Sequence, residues 1–344
     1  MKNLCNISFI QNKFVSCSIV NELFDFYAIA RIILFIDNCS VFIDLYLCRM
    51  NLSKIKAHTA LIVVNVIYGV NFIAVKEIIP EYFEWQSMTL FRAFGALVLF
   101  FIAGFFIKRQ KIERADMWKF VVGGLLGVTV SQSLLIWGLQ YTSSMNASII
   151  MTMNPLFVMI FAALILRFPI TKVKLSGIVV GGIGACILIF TSANSEHVAL
   201  QSISLGDAII LANAVLYGLY LVWTKPLMEK YDALTVMFFC FLFGAIPVLL
   251  YGLEPTLAVD FRAIPAVTYV AIAFVVVCAT FITYVLNAVS LKYVNPTTVS
   301  IYVYLQPVVA TLLSIDMHGD QLSWHKIVSM LLVFAGVYLV NMSN

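Results

Sequence analysis

The stretch Tyr68-Gly69-Val70-Asn71-Phe72-Ile73-Ala74-Val75-Lys76 returns later in the chain as Tyr217-Gly218-Leu219-Tyr220-Leu221-Val222-Trp223-Thr224-Lys225. The Tyr-Gly pair and the closing lysine keep their places, 149 residues apart. Farther on, Tyr141, Pro155, Lys174 and Gly184 are matched by Tyr293, Pro307, Lys326 and Gly336, now 152 residues apart. One insertion of three residues reconciles the two offsets. Two ordered sets of matches along one chain predict an internal repeat.

What is repeated is membrane-spanning sequence. Of the 344 residues, 62% are hydrophobic and 11% are charged, and the mean hydropathy is +1.00. A soluble domain is about 45–50% apolar and about 25% charged. That gap excludes a soluble enzyme, a disordered tail and a nucleic-acid binder. The net charge of +4, from 21 Lys and Arg against 17 Asp and Glu, is too small to call for a polyanionic partner. Apolar runs of about 20 residues, the length a bilayer of roughly 30 Å needs, recur with short breaks. They fall at about 58–79, 86–107, 118–139, 146–166, 175–192, 207–224, 233–253, 265–290, 297–315 and 326–342. They must be helices, since lipid offers an unpaired strand no backbone partners and barrel strands would alternate in polarity.

Basic residues set the orientation. With both ends of the 50–344 unit inside, the inner segments hold Lys54, Lys56, Lys108, Arg109, Lys111, Arg114, Lys119, Arg167, Lys172, Lys174, Lys225, Lys230 and Lys292. The outer segments hold only Lys76, Arg262 and Lys326. Each copy of the repeat has an odd number of spans, so the second enters the membrane upside down. Lys174 then falls inside and its counterpart Lys326 outside. Inverted repeats give a protein two nearly equivalent conformations, one open to each side.

The first 49 residues differ from the rest. Phe24 to Leu47 is mostly apolar but carries Asp25, Arg31, Asp37 and Asp44. A carboxylate near a helix centre costs about 2.5–3.5 kcal/mol on insertion scales, while each Leu or Ile returns about 0.3–0.6. The segment is a marginal span at best, and it lacks the cleavage site of a signal peptide. Met50 then opens a short basic lead into a strong span. We expect residues 1–49 to be an upstream extension and Met50 the start. N-terminal mass spectrometry tests this, and intact Met1 peptides would contradict it. Cys5, Cys17, Cys39 and Cys48 lie in this region, and Cys186, Cys240 and Cys278 stand alone in apolar runs. No C-x-x-C pair suggests a metal site.

A family resemblance rests on particular residues. The run Gly138-Leu139-Gln140-Tyr141-Thr142-Ser143-Ser144-Met145-Asn146-Ala147-Ser148-Ile149-Ile150, followed by Asn154-Pro155, resembles the third-to-fourth helix signature of EamA-type transporters. These belong to the drug/metabolite transporter superfamily. Tyr68-Gly69-Val70-Asn71-Phe72 resembles the family's first-helix Trp-Gly-x-x-Phe pattern, with Tyr for Trp. Phe91-Arg92-Ala93 resembles its second-helix arginine motif, and Gly206-Asp207 the start of its second repeat. The resemblance covers about residues 57–342. Members often carry an acidic turn after the fourth and ninth helices, where this chain has Arg167-Phe168 and Met317-His318-Gly319-Asp320. The resemblance implies an all-α membrane protein of ten transmembrane helices, in two inverted five-helix repeats (50–195 and 206–344) around a central cavity. It implies a small metabolite as cargo, often exported, and no cofactor.

Polar groups inside a membrane usually face protein or a water-filled cavity. Asn65, Tyr68 and Asn71 form a stripe on the first span. Asn213, Tyr217 and Tyr220 form a matching stripe on the sixth, and Ser131 and Gln132 sit centrally in the third. Such stripes line a cavity or hydrogen-bond helix to helix. Pro155 and Pro307 sit mid-span beside Asn154 and Gln306, where a proline kink frees a backbone carbonyl. Kinks there serve packing or build a binding site. The predicted substrate-binding set is Asn65, Tyr68, Asn71, Gln132, Asn154, Asn213, Tyr217 and Gln306. Arg92, the one clear charge within a span, either snorkels to the interface or pairs with an acidic cargo. Lys76 and Lys225 read as gate charges or interfacial anchors. Gly123-x-x-x-Gly127 and Gly177-x-x-x-Gly181 permit close helix contact, within one chain or in a dimer.

No carboxylate lies deep in the ten spans, which leaves exchange, facilitated movement or coupling through Asp207 open. Two rival classes are an intramembrane enzyme and a channel-like pore. His58, His197, His318 and His325 all lie at span ends or in breaks, and no nucleophile motif occurs. No filter-like loop or ring of charge marks a pore. The expected protein is therefore a multi-pass exporter of an amino acid or related solute, monomeric or homodimeric, embedded in the plasma membrane (the inner membrane if bacterial). Its partners are cargo and lipid, without nucleic acid.

Overall fold

A computed structural model describes residues 54–79, 81–105, 110–142, 144–193, 205–309 and 324–342. The 1–49 extension, the 317–320 turn and residues 310–315 of the 297–315 run lie outside the described residues. All regular structure among the described residues is helical. The first copy of the repeat contains α1 (Lys54–Ile78), α2 (Trp85–Gly104), α3 (Arg114–Tyr141), α4 (Ser144–Met151), α5 (Asn154–Ile165) and α6 (Lys172–Ala193). The second contains α7 (Leu205–Lys230), α8 (Ala233–Leu257), α9 (Ala266–Tyr293), α10 (Pro296–Ile301) and α11 (Trp324–Met342).

By length and composition, α1, α2, α3, α7, α8 and α9 can cross a membrane. Helix α5 and residues Ile327–Met342 of α11 are apolar but shorter. Large apolar side chains face outward along the helices: Leu164 is 72% exposed, Leu250 82% and Leu257 75%. Water would not tolerate such an apolar surface, whereas lipid solvates it.

The run at 146–166 is not one helix. It breaks at Thr152-Met153, and Asn154-Pro155 opens α5. Proline is at ease there because its missing N–H would be unpaired in any first turn. The second copy bends at the matching place. After α10 a 3₁₀ turn spans Tyr302–Tyr304, and the helical residues 305–309 that follow contain Pro307.

Packing follows the repeat. Helix α2 packs on α8, α6 on α11 and α5 on α10, while α1 runs along α9 and α3 along α7. Exchanging the two halves maps this set of contacts onto itself. The finer details repeat as well. Helices α3 and α9 each contain a six-residue π-helical turn, Leu125–Val130 and Val277–Ile282, 152 residues apart. Each then stops on an extended residue, Thr142 (φ −130°, ψ 166°) and Val294 (φ −128°, ψ 164°). Lys76 donates to the carbonyls of Leu139 at 2.8 Å and Thr142 at 3.0 Å. Its counterpart Lys225 donates to the carbonyl of Leu291 at 2.5 Å, and Leu291 is the counterpart of Leu139. Each lysine thus caps the carboxyl end of the third long helix in its own half, where the last carbonyls lack helical partners.

Small residues allow the closest contacts. A Cβ on Gly336 would stand 2.5 Å from the Gly181 backbone, and one on Gly127 would collide with the Tyr220 ring. Both glycine spacings therefore serve packing inside this chain.

Candidate functional site

A cavity of about 540 Å³, counting its mouth, lies where the two halves meet. Helix α1 contributes Tyr68, Asn71 and Phe72, and α7 contributes Asn213 and Tyr217. Helix α3 contributes Ser131, Gln132 and Leu135. Arg92 comes from α2, Tyr284 from α9, Met151 from the end of α4, and Val303 and Gln306 from the chain beyond α10. Tyr68 and Tyr217, Gln132 and Tyr284, and Met151 and Val303 are repeat-related pairs, so the cavity straddles the symmetry relation.

Most residues singled out by the sequence reading meet at this wall: Tyr68, Asn71, Gln132, Asn213, Tyr217, Gln306 and Arg92. Asn65 and Asn154 stand behind it. Asn65 Nδ2 donates to the Leu61 carbonyl at 2.8 Å, and its Oδ1 accepts from Gln306 Nε2 at 2.9 Å. Asn154 Nδ2 donates to the Ala214 carbonyl at 2.8 Å. Ala214 is the counterpart of Asn65, and Asn154 that of Gln306, so the same helix junction is bonded in both halves. Lys76 and Lys225 lie at helix ends, away from the cavity. Pro155 and Pro307 sit at the breaks that carry Met151 and Val303 to it.

The polar wall is ordered by its own hydrogen bonds. Tyr284 donates its hydroxyl proton to the Gly127 carbonyl at 2.8 Å, inside the π-helical turn of α3. A π turn shifts the backbone ladder and recurs at functional sites. With its proton committed, Tyr284 accepts from Gln132 Nε2 at 3.1 Å. That fixes the amide: Gln132 Oε1 must be the other atom, and it is buried without a partner among the described residues. Ser131 donates to Asn213 Oδ1 at 2.7 Å, and Asn287 Nδ2 donates to the Tyr217 hydroxyl at 3.4 Å. Asn71 Oδ1 and Arg92 Nη1 are likewise buried and unpartnered among the described residues. The wall can hydrogen-bond a polar solute and offers one positive charge. Among the described residues it contains neither histidine nor carboxylate.

Sequence reasoning missed Tyr284 and the apolar wall. Tyr284 had a signal, its 152-residue offset from Gln132, whereas Phe72, Leu135, Met151 and Val303 look like any other apolar residue in an apolar span. It also missed an ionic cluster at the far end of α3. Asp116 accepts from Lys119 at 2.7 Å, from Lys230 at 2.6 Å and from Tyr231 at 2.9 Å, and Lys230 also pairs with Glu113. Lys119, then Lys230 and Tyr231, hold the Asp116 carboxyl far below the usual carboxylate range. Asp116 and then Glu113 push the Lys230 ammonium above its ordinary value. The cluster ties the start of α3 to the end of α7. Asp207 is engaged at the opposite end of the same pair, where it accepts from the Thr142 hydroxyl.

Comparison with known proteins agrees with this architecture. The sequence profile of the EamA-like transporter family matches twice, over residues 55–190 and 204–342. The uncharacterized transporter YyaM of Bacillus subtilis is 29% identical over 70% of this chain and 77% of its own. A "probable terminal-alkyne amino-acid exporter" of Streptantibioticus cattleyicolor is 25% identical over 85% of this chain and 95% of its own. A solved crystal structure shares the fold, with a TM-score of 0.67 at 16% identity, over 86% of this chain and 98% of that one. The chain is a multi-pass membrane transporter of the EamA-like transporter family, with two copies of the family's domain in tandem.

Proposed function

We propose that this protein is an alternating-access exporter of a small metabolite, an amino acid or related solute. In this reading the chain crosses the plasma membrane ten times, in two inverted five-helix repeats, with both ends of the 50–344 unit cytoplasmic. The six long helices supply six crossings. Helix α6, α11, the α4–α5 pair and α10 with its continuation supply the rest. The observation that carries the proposal is the repeat symmetry of packing, which extends to π turns, helix caps and cavity walls. Two halves with interchangeable contacts can exchange shapes at little cost in free energy. That exchange moves the opening of a shared cavity from one face to the other.

The cargo contacts Asn71, Gln132, Asn213, Gln306, Tyr68 and Tyr217. Asn65 and Asn154 brace the wall behind them. Amide and hydroxyl groups recognise a compact polar solute, and the name of the S. cattleyicolor relative points to the same class. A thermal-shift screen of purified protein tests this, because a bound ligand stabilises the folded state. An amino acid or close relative should raise the melting temperature in proportion to the logarithm of its concentration. A screen in which only unrelated solutes do so would overturn the cargo class.

A further inference from the structure

We infer that Arg92 anchors a carboxylate of the cargo, so that the cavity selects solutes carrying both a carboxylate and an N–H donor. The inference rests on the carrier reading above and names the chemistry of its site. Arg92 is 2% exposed, so its guanidinium does not reach a membrane surface. Its Nε donates to Thr280 Oγ1 at 3.1 Å, and Thr280 passes its own proton to the Val275 carbonyl at 2.8 Å. Thr280 therefore only accepts from Arg92 and holds one edge of the guanidinium plane. Nη1 has no partner among the described residues. The ion pairs of the described residues all lie elsewhere: Lys119 with Asp116, Lys225 with Glu229, and Lys230 with Glu113 and Asp116. A buried guanidinium without a counter-ion among the described residues calls for an anion, and its planar fork fits a carboxylate.

The repeat shows that this charge is not needed for packing. Gly95 meets Val276 just as its counterpart Gly244 meets Gly124, which keeps the 149-residue offset valid here. The counterpart of Arg92 is then Phe241, which packs edge-on against Tyr284 with ring centroids 5.0 Å apart. An aromatic ring satisfies the same place in the other half. The guanidinium breaks the symmetry only where a cavity lies in front of it. The second half of the inference comes from the acceptors. Gln132 Oε1 is fixed as an acceptor by the Tyr284 hydroxyl, and no donor among the described residues reaches it. A cargo ammonium would satisfy it. The remaining wall, Phe72, Leu135, Met151 and Val303, suits an apolar side chain.

The test uses the full chain in detergent with three matched probes at fixed ionic strength: L-phenylalanine, 3-phenylpropionate and L-phenylalaninamide. Phenylalanine should bind most tightly, phenylpropionate more weakly, and the amide at least tenfold more weakly than phenylalanine. Arg92→Gln should bring phenylalanine and the amide within about threefold of one another and leave phenylpropionate weaker than both, and Arg92→Lys should keep part of the acid preference. Should Arg92→Gln fail to fold, Thr280→Val removes the acceptor at Nε, together with the local bond Thr280 gives the Val275 carbonyl, and should weaken phenylalanine binding severalfold relative to the amide. Equal binding of acid and amide overturns the inference. So does protection by chloride at the same concentration as the carboxylates, or no binding by any carboxylate among the standard amino acids. Acid-selective binding without flux in vesicles would instead overturn the carrier reading and leave the Arg92 assignment standing.

Discussion

Replacing Lys76 or Lys225 by methionine separates a structural role from a gating role. Lys76 gives hydrogen bonds to two carbonyls at the end of α3, at 2.8 and 3.0 Å. Lys225 gives one at 2.5 Å to the end of α9 and pairs with Glu229 at 3.0 Å. Glu229 is 57% exposed, so that ion pair adds little. Methionine preserves the stem and removes the charge. A buried carbonyl left without its donor costs about 1–3 kcal/mol, and a cation lost from a helix carboxyl end about 0.3–1 kcal/mol. Removing an ammonium from an apolar setting recovers part of this. Side-chain hydrogen bonds between membrane helices average about 0.6 kcal/mol, with a maximum near 1.7. Each substitution should therefore destabilise by about 1–2 kcal/mol. The two caps belong to different halves and share no partner, so the double variant should show the sum within about 0.5 kcal/mol. Equilibrium unfolding in mixed micelles, followed by tryptophan fluorescence, gives the stabilities. Flux per folded molecule should stay near the parent value. Unchanged stability with lost flux in either variant would refute the capping argument and restore a gate. Strongly unequal losses would refute the equivalence of the two ends.

Gly336→Ala should lower stability by about 1–3 kcal/mol, because the new methyl meets the Gly181 backbone and overpacking of this kind has that magnitude. Gly104→Ala, whose Cβ would meet nothing within 4 Å, is the control, and melting temperatures compare them. Asp116 has a depressed pKa, so its contribution to stability is present above about pH 4, the unfolded value, and is lost as pH falls through the folded one. The melting temperatures of the parent and Asp116→Asn should thus differ at pH 7 and draw together progressively as pH falls below about 4. A constant difference would contradict the cluster. Gln306→Ala should weaken cargo binding measured by titration. Asn154→Ala should impair transport through the wall it braces without lowering expression. Unchanged flux in both would remove the central site.

Much of the architecture was legible in the sequence because lipid imposes long apolar runs and duplication left residue matches. The break at Thr152-Met153 was foreshadowed by Pro155, since proline removes the hydrogen bond that would have carried the helix through. The π turns were not legible. Leu125–Val130 and Val277–Ile282 share no residue at matched positions, so only backbone geometry records their kinship. The polar stripe on α1 was read correctly as a stripe, yet Asn65 faces a neighbouring helix and Asn71 the cavity. Three-residue spacing places side chains on one face and cannot say what covers each part of it. The lysines misled for a related reason. A cation near a span end looks the same whether it anchors at the interface, gates, or caps a neighbouring helix, and only the positions of Leu139 and Leu291 distinguish these roles.

The central claim is that two exchangeable halves carry cargo across the membrane by presenting one cavity to each side in turn. Counterflow in proteoliposomes tests it most directly. Vesicles loaded with excess unlabelled cargo and diluted into trace labelled cargo should accumulate label transiently, and the initial rate should saturate with external cargo. Entry that rises without saturation and ignores the internal load would show a pore and contradict the account.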